Sequence, residues 1–295
     1  MEYQKKYIKY KKKYHSLKKI RQEIPIKYIE FNNGEIITKN TMDDDLLNSD
    51  SEFLIGSITK IFISLLILHL HQDNLLSVTD PIDMYIKSNK LNNFSNIIIW
   101  DLLNHTSGIK HHVNFVDFDF DKFQKNNMSA KYIVNSIIKE NIISPNKIYL
   151  YSNAGYYILG AIIEIVCNKI WWKTIHVYCD NLEHTDIGFP SNKLYDQDKN
   201  INPKINYTIA AISAGGMYSS INDISKYITY VINNFNENTL KLLKNMYYIS
   251  YDYEKNIYIL SHDGNVPGGK SIVEFIFDAN WNIQKKYIKL ETIIN

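Results

Sequence analysis

Gly56-Ser57-Ile58-Thr59-Lys60, running on into Ile61-Phe62-Ile63-Ser64-Leu65-Leu66-Ile67-Leu68, decides how this chain is read. A helix that is apolar nearly all round has to be buried. Serine and lysine three positions apart on it share one face. Ser57 would then stand at the entrance of a buried helix. Free backbone N–H groups and the positive dipole end favour developing negative charge there. A hydroxyl is a weak nucleophile until a neighbouring base takes its proton, and a buried amine is one such base. The pattern points to covalent serine chemistry. A plainer reading makes Ser57 an ordinary N-cap. The same spacing recurs at Ser16 to Lys19, in a lysine-rich tail, and at Ser144 to Lys147, which opens on Ser144-Pro145. Only the Ser57 copy leads into a long apolar run.

Working outward, four more segments follow in order. They are Asp101-Leu102-Leu103-Asn104-His105-Thr106-Ser107-Gly108-Ile109, Tyr151-Ser152-Asn153-Ala154-Gly155-Tyr156, Ser213-Ala214-Gly215-Gly216-Met217 and His262-Asp263-Gly264. With Phe53 to Lys60 they make the chain resemble the serine β-lactamase and penicillin-binding-protein superfamily. The resemblance is to the branch of class C β-lactamases, D-alanyl-D-alanine carboxypeptidases and related esterases. It implies Ser57 as nucleophile and Lys60 or Tyr151 as base, with the choice left open. It implies that Asn153 hydrogen-bonds a substrate amide. His262 takes the place that lysine holds in the K-T-G version of the third motif, where it would orient Tyr151 or attract a substrate carboxylate. Gly264 would let backbone approach the substrate closely. The oxyanion hole would combine the N–H groups of Ser57 and Asn265. No cofactor is implied. His105 to Gly108 and Ser213 to Gly216 read as structural, the first as a turn and the second as a close approach of small residues.

Length and composition fit this picture. The 295 residues are 45% hydrophobic, enough for a sizeable core, with two cysteines, Cys167 and Cys179, too few for a disulfide scaffold. No metal-ligand spacing is visible. Residues 1–21 carry nine Lys and Arg against Glu2 alone, a local +8, while the rest holds 24 basic and 30 acidic side chains. A near-neutral total therefore hides a basic arm on an acidic body. Tyr3, Tyr7, Tyr10, Tyr14 and Leu17 form one helical stripe on that arm. The stripe would pack on the body, or the arm would bind an anionic surface or a partner. No apolar core follows the charges, so no signal peptide is expected and the compartment reads as intracellular or unknown. The 54–70 run is interrupted by Ser57, Lys60 and Ser64, and no transmembrane segment is expected.

Hydrophobic periodicity predicts a hairpin over 26–38 around Asn32-Asn33-Gly34. It predicts helices over 131–141, 154–169 and 223–233, the last capped by Asn222, and strands over 256–261, 271–277 and 283–290, the last of them weak. Together these make an α+β fold: an antiparallel five-stranded sheet flanked by helices, with a mostly helical inserted region. The expected division is a basic helix or arm at 1–24, a sheet-containing region at 25–80 and 211–295, and a mostly helical region at 81–210. The function expected is a serine hydrolase acting through an acyl-serine on a small-molecule or peptide amide or ester. The alternative is a weakly active or inactive scaffold on the same fold.

Overall fold

A computed structural model describes residues 26–40, 47–86, 96–109, 125–126, 129–137, 148–187, 212–266 and 269–293. The basic arm, the Asp43 to Asp45 loop, His111-His112 and the Ser16 and Ser144 copies lie outside the described residues.

The main sheet has six strands in the order β2-β1-β9-β8-β7-β6. They are β1 (Ile26–Asn32), β2 (Glu35–Asn40), β6 (Ile249–Asp252), β7 (Ile257–Val266), β8 (Gly269–Asp278) and β9 (Ile283–Ile293). Every neighbouring pair is antiparallel; short connections dictate this for all but β1 and β9, which nearly the whole chain separates. Asn33 and Gly34 both take positive φ, which closes the β1–β2 hairpin. Five strands were expected. The sixth, β6, is a four-residue edge strand inside an aromatic stretch, too short to show a period. The final strand, read as weak, lies centrally between β1 and β8. A second small sheet joins β3 (Phe53–Leu54), β5 (Met217–Ser219) and β4 (Asp186–Ile187).

One face of the main sheet is apolar. Ile29, Leu260, Val273, Phe275, Phe277, Ile288 and Leu290 are all buried. Helices cover that face and build the core beyond it. Helix α1 (Thr59–Gln72) is buried from Thr59 to Leu68, as its sequence requires. The described residues also form α2 (Ile99–Leu103), α3 (Ala130–Ile137), α4 (Asn153–Cys167), α5 (Trp171–Tyr178), α6 (Ile212–Gly215), α7 (Ile221–Asn233) and α8 (Glu237–Leu243). Ser220, not Asn222, caps α7, accepting from Asp223 N; the Asn222 side chain instead donates to Ser49 and Asp50. Tyr227 of α7 stacks on Phe62 at 4.3 Å and donates to the Phe62 carbonyl, joining α7 to α1. On α4, Glu164 is a buried carboxylate. It accepts from Ser129 Oγ, Ala130 N and Lys131 N and so holds the start of α3. No helix among the described residues is long and apolar enough to cross a membrane.

Candidate active site

A single 3₁₀ turn, Gly56–Ile58, carries Ser57 into α1. The capping reading fails: Ile58 holds the N-cap position, with no side-chain cap. Ser57 Oγ instead lies 3.1 Å from Lys60 Nζ and 2.8 Å from the Tyr151 hydroxyl. One alcohol oxygen is thus within bonding reach of an amine and a phenol.

Lys60 is completely buried. It forms no ion pair among the described residues, and its Nζ donates to the main-chain carbonyl of Ala214 in α6. Burial pulls its pKa well below the usual lysine range. Burial pushes Tyr151 the other way, against a smaller downward pull from its bond to Ser57. Burial thus disfavours the charged form of both groups beside the serine, loosening the amine's hold on its proton and tightening the phenol's.

His105 explains why Tyr151 stands where it does. His105 takes a left-handed φ of 58° at the end of α2. Its carbonyl accepts from Leu150 N at 2.7 Å and its Nδ1 from Ser152 N at 3.1 Å, so both neighbours of Tyr151 are tied to it. Its ring packs 4.3 Å from the Tyr151 ring. The rest of that segment is structural, as expected: Thr106 bonds Asp101, and Ser107 accepts from Ile109 N. The small residues of the fourth segment also behave as expected. A methyl group on Gly160 would come within 2.4 Å of Ser213 Oγ.

Asn153 begins α4, one residue after the extended cap Ser152. Its Oδ1 is buried with no hydrogen-bond partner among the described residues. His262, on the inner face of β7, does not bond Tyr151. Its Nδ1 meets the Asp263 carbonyl at 2.6 Å and its Nε2 meets the Tyr247 hydroxyl at 2.7 Å. A carbonyl can only accept, so Nδ1 carries a proton, while Nε2 accepts from Tyr247 in the neutral ring and donates to it in the charged ring. Burial foremost lowers His262 to about 4, which matches this neutral tautomer.

The glycines fasten the two halves of the site together. A Cβ on Gly264 would lie 2.1 Å from the Ile55 carbonyl oxygen and 2.2 Å from Ser271 Oγ, which itself donates to that oxygen. The close approach at Gly264 is therefore to the chain's own backbone. Gly56, at φ 51°, leaves a would-be Cβ 2.9 Å from Asn265 N. The Asn265 amide is thereby beside the Ser57 turn. Among the described residues no group of three His, Cys, Asp or Glu side chains could hold a metal ion.

A family model described as Beta-lactamase matches residues 31–250. The chain belongs to that family. Its curated relatives include penicillin-binding protein 4* of Bacillus subtilis, 31% identical over 123 residues, which cover 40% of this chain and 26% of that protein. Another is the teichoic acid D-alanine hydrolase of Staphylococcus aureus, 27% identical, covering 69% of this chain and 49% of the relative. The chain thus spans half or less of the length of these relatives. Among solved structures, a D-amino acid amidase from Ochrobactrum anthropi has a TM-score of 0.66 at 18% identity, over 91% of this chain and 86% of that one. A D-stereospecific amidohydrolase from Streptomyces has a TM-score of 0.65 at 18% identity, over 90% and 89%. These likenesses establish the β-lactamase/transpeptidase-like fold, and the family is one of serine hydrolases.

Reading the residues alone missed three participants. Ala214 contributes only its carbonyl, which no side-chain motif can announce. Tyr247 sits among 23 tyrosines and nothing marks it out. His105 was assigned to a turn, which it does form, while also orienting Tyr151.

Proposed function

We propose that this chain hydrolyses an amide or ester through an acyl-serine intermediate on Ser57. One observation carries the reading: Ser57 Oγ is within hydrogen-bond distance of both Lys60 Nζ and the Tyr151 hydroxyl. Lys60 is the base. A neutral amine has one lone pair for the Ser57 proton while an N–H stays on the Ala214 carbonyl. Ser57 Oγ attacks the substrate carbonyl as its proton passes to Lys60 Nζ. The resulting oxyanion takes hydrogen bonds from the Ser57 and Asn265 N–H groups, a contribution worth about 10²–10³ in rate per donor. Tyr151 gives its proton to the leaving oxygen or nitrogen and recovers one from Lys60. Water then releases the acyl group by the same steps in reverse. Glu164, committed to holding α3, takes no part in that release. Asn153 Oδ1, buried and without a hydrogen-bond partner among the described residues, would accept from a substrate amide N–H once its side chain turns toward the cleft. The named activities of the relatives, D-amino acid amidase and teichoic acid D-alanine hydrolase, support a hydrolase of this breadth.

The test is incubation with serine-directed acylating probes, including a fluorescent penicillin, followed by intact-mass measurement. An adduct on Ser57, absent in Ser57→Ala, is expected. Absence of an adduct with every probe overturns the reading in favour of a scaffold.

A further inference from the structure

We propose that Asp263 sets the charge of the substrate. The strand edge beside Ser57 accepts neutral and ammonium-bearing acyl groups and rejects those carrying a carboxylate. The inference rests on the acyl-serine reading above and names its substrate class.

The argument begins with the edge itself. Strand β6 pairs with β7 only from Ile257 to Leu260. Beyond Ser261, which bonds the Tyr248 carbonyl, β7 has no described partner on that side. This free stretch, His262 to Asn265, runs next to the Gly56–Ile58 turn, as the fit at Gly56 and Gly264 requires. An extended substrate laid along it meets the side chains of His262, Asp263 and Asn265.

None of the three supplies a positive charge. Both ring nitrogens of His262 are occupied, one by a carbonyl and one by a tyrosine hydroxyl, and burial lowers its pKa to about 4, which disfavours a charged ring near neutral pH. Asn265 is uncharged, and its Nδ2 donates to Asp263 Oδ2 at 3.1 Å, steadying that carboxylate. Asp263 is exposed. Its charge reaches the site, adding to the upward push on the Tyr151 pKa. Lys60 is buried, and burial works against its charge. Lys270, paired in register with Asn265, makes no ion pair with Asp263 among the described residues. The fixed charge along the edge is therefore negative.

A unit charge within about 10 Å, at the effective dielectric of a protein surface, alters the free energy of a charged ligand enough for roughly tenfold selection. The test uses matched aryl esters whose acyl chains end in a trimethylammonium, a tert-butyl or a carboxylate group. The expected order of kcat/KM is ammonium, then tert-butyl, then carboxylate, with steps of about tenfold that shrink as salt is added. Asp263→Asn should collapse the ammonium-to-carboxylate ratio about tenfold or more, and Asp263→Glu should restore it. The ratio reads specificity independently of any general loss of activity. A ratio unchanged in Asp263→Asn, or a native preference for the carboxylate ester, overturns the proposal while leaving the hydrolase reading intact. Turnover of the tert-butyl ester that persists in Ser57→Ala, or no turnover of any ester, overturns the hydrolase reading and the proposal with it.

Discussion

The first turn of α1 and the free edge of β7 face each other across the same few ångströms and work by opposite means. On the α1 side the amine is dry. Lys60 is completely buried, its Nζ reaches only the Ala214 carbonyl and Ser57 Oγ among the described residues, and the energetic penalty on charging it frees its lone pair. On the β7 side Asp263 and Asn265 are exposed, and His262 keeps only its hydrogen-bonding pattern, not a charge. On the proposed reading, reactivity is set by burial, and selectivity by what is left open to water. The two sides are rigidly coupled, because Gly56 and Gly264 leave no room for so much as a methyl group between them.

The largest expected effect removes the dry side. Lys60→Met should lower the rate of Ser57 acylation by about 10³-fold, within the usual range for losing a general base. The same variant should be more stable by about 1 kcal/mol near neutral pH, since a costly buried amine is gone. The sign with pH is fixed. Lys60 has a lower pKa folded than unfolded, so the unfolded chain binds more protons between the lowered value and about 10.4. Native stability therefore rises with pH across that window, and the gain from Lys60→Met should grow as pH falls. Equal melting temperatures of the two proteins from pH 6 to 9 would show that burial is not what tunes the amine.

Tyr151→Phe leaves the serine–lysine pair in place and should slow turnover by about 10²-fold. Strongly activated esters, whose leaving groups need no proton, should be affected least. A loss equal for activated and unactivated esters would place Tyr151 on the base side of the comparison after all.

Gly264→Ala attacks the coupling itself. The new methyl would sit 2.1 Å from the Ile55 carbonyl oxygen, so β7 and the Ser57 turn must separate. Overpacking of this kind typically costs about 1–3 kcal/mol, visible as a lowered melting temperature. An unchanged melting temperature would mean that the two sides are not in contact in solution.

The smallest effect sharpens the wet side. Tyr247→Phe removes the hydroxyl at His262 Nε2 but leaves the burial that foremost lowers its pKa. The His262 pKa should then stay well below the ordinary histidine value, as followed by NMR titration of the ring protons. In the native protein His262 contributes stability that is present above the unfolded value of about 6.5 and is lost as pH falls through 4. A native His262 that titrates at its unfolded value would return a positive charge to the edge.

Much of this was legible in the sequence because a few patterns are dictated by period alone. The apolar run from Ile61 to Leu68 had to be buried, and Asn32-Asn33-Gly34 had to turn. Alternation from Ser271 to Phe277 put Val273, Phe275 and Phe277 on one face. Strand β6 escaped because four residues at a sheet edge carry too little alternation to register. The last strand looked weak because Lys285, Lys286 and Lys289 interrupt it, although Ile288 and Leu290 give it a buried face. The structure brings Ser57, Lys60 and Tyr151 together, and the sequence marks them because the proposed chemistry needs those side chains. The surroundings of His262 were not so marked, since they include Tyr247, 15 residues away in sequence and brought close only by pairing of β6 with β7.

The Ala214 carbonyl has a consequence for genetics. The group that steadies the amine belongs to the peptide bond, so every amino acid at position 214 supplies it equally. Saturation mutagenesis would score that position by the size of its side chain and remain blind to its electronic role. Only a change to the main chain itself, such as an amide-to-ester replacement introduced by semisynthesis, would weaken this acceptor and expose how far it holds the amine in place.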